Sequence, residues 1–147
     1  MTLKEQLTEA MKTAMKARDN LRLSAVRMVL SALKNREIDQ LKEIDDQGTI
    51  EVISTLVKQR RESIRLYQEG NRPELAEKEE AELNILLGFL PVQMDITEIN
   101  GLVSRIIHEI DAQGMKDMGR VMKAVTPLTA GKADGRVVSD AVRSRLA

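Results

Sequence analysis

His108 is the single histidine, and the chain has no cysteine. Any Ser–His or Cys–His nucleophile pair would have to use it. It stands two residues from Ile106 and two from Ile110, off the apolar stripe those residues mark, and reads as a surface or boundary residue. One histidine and no thiolate leave only carboxylates for a transition metal, a poor donor set. No catalytic residue, metal site or cofactor is therefore assigned. The acids Glu77, Glu79, Glu80 and Glu82 have the type for a hard-metal site or an acid–base pair. At that spacing they spread around a helix, and they read as a solvated face partly paired with Lys58, Arg60, Arg61 or Arg65.

Three other features carry chemistry. Arg60 falls on the stripe Ile53, Val57, Ile64 and Tyr67, so it either snorkels past that stripe or pairs, half-buried, with a glutamate of the next helix. Gly119 lies inside a helical pattern, where glycine costs about 1 kcal/mol relative to alanine. Close approach of another helix is the expected compensation. Gly131-Lys132-Ala133-Asp134-Gly135 resembles a phosphate loop but lacks the Gly-Lys-Ser/Thr ending and a preceding strand. Asp134 suits a helix cap. Lys132, Arg136, Arg120 and Lys123 are expected to cluster near this loop. Cations beside the free amides of a helix start suit phosphate oxygens. With no aromatic interleaving, base stacking is not expected.

The elements that must hold these residues are helical. Leu3, Leu7, Ala10, Met11, Ala14 and Met15 recur at helical spacing. Asp19-Asn20 break that pattern. A second runs through Leu23, Val26, Leu30 and Leu33 to Ile38, Leu41 and Ile44, ending in the turn signal Asp45-Asp46-Gln47-Gly48. Thr49 is placed to cap a third helix, and Gly70 to follow its end. Pro73 fits the first turn of a fourth, which Pro91 ends. Helices then start near Asp95 or Thr97 and at Asp117, the latter closed by Pro127. A last helix uses Val137, Val138, Ala141, Val142 and Leu146. The expected class is all-α, with an N-terminal four-helix part over residues 1–91, a boundary at Pro91–Asp95 and a three-helix part over residues 95–147.

Composition agrees. The 147 residues are 42% hydrophobic but 1% aromatic, only Tyr67 and Phe89, which argues against a β-sandwich or barrel. Lys and Arg number 23, and so do Asp and Glu. The neutral sum hides basic segments: residues 1–36 carry 8 Lys/Arg against 3 acids, and residues 115–147 carry 7 against 3. No stretch is apolar for long enough to span a bilayer. The amphipathic start Met1–Gln6 lacks the apolar core of a signal peptide, and the expected location is the cytoplasm.

An ordered set of motifs carries a resemblance. It comprises Lys58-Gln59-Arg60-Arg61-Glu62-Ser63, Gly70-Asn71-Arg72-Pro73-Glu74-Leu75-Ala76, Lys78-Glu79-Glu80-Ala81-Glu82-Leu83 and Phe89-Leu90-Pro91. Met118-Gly119-Arg120-Val121-Met122 and Gly131-Lys132-Ala133-Asp134-Gly135 follow. With these the chain resembles the YqeY proteins, stand-alone relatives of the tail domain of GatB, the tRNA-handling subunit of the glutamyl/aspartyl-tRNA amidotransferase. Pro73 stands where the family is expected to have a polar residue. The resemblance covers essentially the whole chain. It implies two helical parts, the second GatB-tail-like, and a tRNA-binding accessory role without catalysis of its own. Arg120, Lys123, Lys132 and Arg136 are the expected RNA contacts. The alternative it implies is an interaction module docking on an aminoacyl-tRNA synthetase or amidotransferase. A glutamine-dependent carbon–nitrogen ligase label would be inherited from full-length relatives, because the activating and glutaminase sites lie outside the matching domain.

Overall fold

The computed structural model describes all 147 residues, and every regular element in it is helical. Contacts divide the chain into two compact units, Met1–Pro91 and Val92–Ala147.

The first unit holds α1 (Leu3–Ala17), α2 (Asn20–Gln40), α3 (Asp46–Glu69) and α4 (Pro73–Leu87). Each of the first three starts on an oxygen-bearing cap. The Thr2 hydroxyl accepts from the Glu5 N–H, Asp19 from Arg22, and Asp45 from Gly48. α1 packs along α2 and α3 along α4. The shared core is Leu7, Val26, Val29, Leu33, Ile53, Val57 and Leu86. Each such side chain contributes about 1.5–3 kcal/mol by leaving water.

Several local expectations change. Asp45 caps α3, while Thr49 is buried inside it and turns its hydroxyl back onto the Asp45 carbonyl. Gly70 has φ −82°, and the left-handed residue that turns the chain is Asn71, at φ +57°. The second apolar pattern leaves the core at Ile38 and Leu41. Arg36 and Glu37 still reach Glu51 and Lys4, but residues 38–43 are all exposed, and Ile44 alone returns to pack on the core. Leu41 is 91% exposed and sits at φ +56°.

The second unit holds α5 (Ile96–Glu109), a single 3-10 turn (Met115–Asp117), α6 (Met118–Thr129) and α7 (Gly135–Leu146). Asp95 caps α5 by accepting from Glu98, and Asp134 caps α7 by accepting from Arg136. Ile99, Val103, Ile106, Val121, Val125, Val138 and Val142 form a separate core. Pro127 does not close α6, which continues to Thr129. The proline is exposed, so the carbonyl it leaves without an N–H partner can face water. No helix is long and apolar enough to cross a membrane.

Candidate nucleic-acid interface

In the second unit the segment before α5 is bonded to the loop between α6 and α7. The Met94 N–H donates to the Lys132 carbonyl at 2.8 Å, and the Gln93 side-chain amide donates to the Gly131 carbonyl at 2.8 Å. Gly131 has φ +74°, a conformation that favours glycine, and it turns the chain from α6 into this loop. Lys132 and Arg136 therefore lie at the end of the unit where α5 begins. Both side chains are exposed and neither makes an ion pair.

Arg120 lies at the other end. Its guanidinium donates to Asp117 at 3.2 Å and to the Ile110 carbonyl, tying the start of α6 to the end of α5. The Gln113 N–H also donates to Asp117, at 2.8 Å. That backbone hydrogen bond, with the charges of Arg120 and Lys116, holds the Asp117 carboxyl below the usual carboxylate range. Lys123 follows Arg120 by one turn, exposed and without an ion pair. Between Arg120 and Lys132 runs most of α6, about 15 Å of helix at 1.5 Å per residue. The four cations thus do not cluster at one loop. Lys132 and Arg136 share one end, Arg120 and Lys123 mark the other, and only Arg120 is held by internal bonds.

The start of α7 is not an open anion site. Its Arg136 N–H already donates to Asp134 at 3.0 Å, so a phosphate there would compete with the chain's own carboxylate. The unit carries 8 Lys/Arg against 7 Asp/Glu. Its positive character is local: Asp95 and Asp134 cap helices, Asp117 is bonded at the α5–α6 connection, and Lys123, Lys132 and Arg136 stay unpaired.

Gly119 does not serve close packing. A Cβ there would meet nothing within 4 Å. His108 is exposed on the last turn of α5. In the first unit the acidic run is less solvated than its spacing suggests. Arg60 Nε lies 2.9 Å from Glu82 and 3.2 Å from Glu79, with the three side chains 20%, 13% and 19% exposed. Its N–H points squarely at neither oxygen, so the contact is mainly Coulombic. Arg60 Nη2 also contacts the Met28 sulfur at 2.7 Å. No three His, Asp or Glu residues converge as a metal site would require.

The family model for Yqey-like protein matches residues 4–146. The chain belongs to the YqeY family. Among its curated relatives is the protein named "Altered inheritance of mitochondria protein 41, mitochondrial" from Lachancea thermotolerans, 40% identical over 71% of this chain and 57% of the relative. The Kluyveromyces lactis protein of that name is 37% identical over 71% of this chain and 58% of the relative. The Eremothecium gossypii one is 32% identical over 96% and 79%. The match to the first two thus spans less than two thirds of their length.

These names correct the cytoplasmic location expected from the sequence: the relatives of this YqeY chain are named as mitochondrial proteins. The first residues were a poor guide for a physical reason. Leu3 and Leu7 are core residues of α1, so packing accounts for the amphipathic pattern there and it is no guide to location. The Arg120 anchor was likewise hidden, because its partners Asp117 and the Ile110 carbonyl meet only when α5 and α6 pack. The lone signal was Asp117 three residues before Arg120.

Proposed function

We propose that this YqeY chain is a tRNA-binding accessory module that holds the phosphate backbone and has no catalytic activity of its own. The observation that carries the reading is the set of unpaired, exposed cations Lys123, Lys132 and Arg136 on a unit that commits Asp95 and Asp134 to helix caps. Such cations read the shape of a folded RNA and not its bases. Arg120 is the weaker contact, since binding a phosphate means giving up Asp117 or the Ile110 carbonyl.

The test is a titration of the full chain with total tRNA at several salt concentrations. Three phosphate contacts give a slope of log K against log salt of roughly 2 to 3. Changing Arg120, Lys123, Lys132 and Arg136 together to glutamate should lower the slope by that amount while helicity by circular dichroism holds. A folded variant that binds like the parent overturns the reading. Ammonia release from glutamine by the purified chain, lost on His108→Ala, would overturn its non-catalytic half.

One observation favours a second reading, a module docking on an aminoacyl-tRNA synthetase or amidotransferase. Val92 is 92% exposed and Ile96 is exposed near it in sequence, so apolar surface is available to a protein partner. Failure of the parent to bind tRNA at low salt would favour it.

A further inference from the structure

The basic segment over residues 1–36 has no part in that reading, although it carries 8 Lys/Arg against 3 acids within a first unit that is otherwise acidic. Residues 20–36 hold four Lys/Arg and no Asp or Glu. Two of the four are occupied. Arg22 lies over the Phe89 ring at 5.6 Å, and Arg36 pairs with Glu51 at 2.9 Å. The other two, Arg27 and Lys34, are exposed and meet no acid. They belong to one stripe. Asn20, Ser24, Arg27, Ser31 and Lys34 follow one another in steps of four, three, four and three, and every one is exposed. The core residues Ala25, Val26, Val29 and Leu33 occupy the opposite side of α2. The serines are free donors. Ser24 and Ser31 make no internal hydrogen bond, whereas Thr8, Thr49, Thr55, Thr126 and Thr129 turn their hydroxyls back onto helical carbonyls.

We propose that this outer face of α2 is a second RNA-backbone surface, with Arg27 and Lys34 neutralising phosphates and Ser24, Ser31 and Asn20 donating to phosphate oxygens between them. The inference rests on the reading that the ligand is RNA, and it adds a surface in the other unit. The composition of the stripe selects the partner. Cations with hydroxyl and amide donors are the set that meets nucleic-acid phosphates. The small side chains between the cations let a rod-like polyanion approach along about 21 Å of helix. A helix lying on a bilayer would carry several bulky apolar residues to bury on the contacting side, and this stripe meets only one, Ile38, at its far end.

The experiment uses the full chain, total tRNA and salt between about 50 and 200 mM. Arg27→Gln with Lys34→Gln should lower the salt slope by roughly 1.4 to 1.8, two contacts' worth. Ser24→Ala with Ser31→Ala should weaken binding with little change in slope. Helicity should be unchanged in both. A parental slope in the Arg27/Lys34 variant, with binding lost in the tail variant, overturns this inference and leaves the tail reading standing. The opposite pattern removes the tail reading and supports this one. A parent that binds no tRNA overturns both. If the Arg27/Lys34 variant instead loses binding only to phosphatidylserine vesicles, or only to polyglutamate, the surface serves a membrane or an acidic chain and the inference falls.

Discussion

Replacing Arg60 with methionine removes the one cation between two carboxylates. Glu79 and Glu82, at 19% and 13% exposure, would then face each other across the α3–α4 contact with little water to screen them. Removing one partner of a fully buried pair costs about 3–5 kcal/mol. Two features reduce that figure here. The cluster keeps roughly a fifth of its surface in water, and the Arg60 N–H is aligned with neither oxygen, so a full charge-assisted hydrogen bond is not lost. About 2 kcal/mol is the expected loss. For a unit of this size that lowers the melting temperature by about 8–16 °C. The assay is urea unfolding followed by circular dichroism, fitted with a separate transition for each core. Two controls bracket it. Arg65 pairs with Glu62 and Glu69 on the open surface of α3, so Arg65→Met should leave the midpoint near the parent's. Adding Glu79→Gln and Glu82→Gln to Arg60→Met removes the repulsion and should recover most of the loss. The reasoning fails if Arg60→Met and Arg65→Met unfold at the same urea concentration.

Asp117 and Gly101 supply two more expectations. Because the folded Asp117 carboxyl is held below its ordinary value, its contribution is present at neutral pH and is lost as the pH falls below about 4. Asp117→Asn should therefore flatten the loss of the second unit's stability between pH 5 and 3, read by thermal melts; an acid limb as steep as the parent's would count against the assignment. Gly101 is exposed inside α5 with nothing within 4 Å of an added Cβ. Gly101→Ala should raise the stability of that unit by about 1 kcal/mol, and Gly119→Ala should act in the same direction. A lower melting temperature for Gly101→Ala would contradict the open space seen there.

What the sequence displayed and what it hid separate by range. Helices were legible because apolar spacing and caps are local: Asp95 and Pro73 announce the starts of α5 and α4 with no help from the rest of the chain. Arg60 was legible because a cation on an apolar stripe must meet something, and α4 supplies the two glutamates. The fate of Ile38 and Leu41 was not, since their spacing continues the core pattern and only the packing of the neighbouring helices decides where burial stops. The clustering of the four tail cations was not legible for the same reason. Sequence brings Lys132 near Arg120 only if the chain between them folds back, and α6 instead holds them apart. Gly119 misled differently: a glycine with open space around it has the same letter as one with a neighbour pressed against it.

The two separate cores set an order of events during synthesis. Every residue of the first core lies at or before Leu90, and α4 supplies its last pieces, Leu83 and Leu86. Helices α1 to α3 must wait for those leucines to clear the ribosome. Once they do, closing this core requires nothing from downstream. Counted from the addition of Pro91 to the chain, residues 92–147 take on the order of 3 to 11 s at ordinary elongation rates, and the last of them are still to be made when the leucines emerge. Small helical units condense far faster than that. The first unit, with the outer face of α2 on its surface, is thus complete while its C-terminal companion is still a nascent chain.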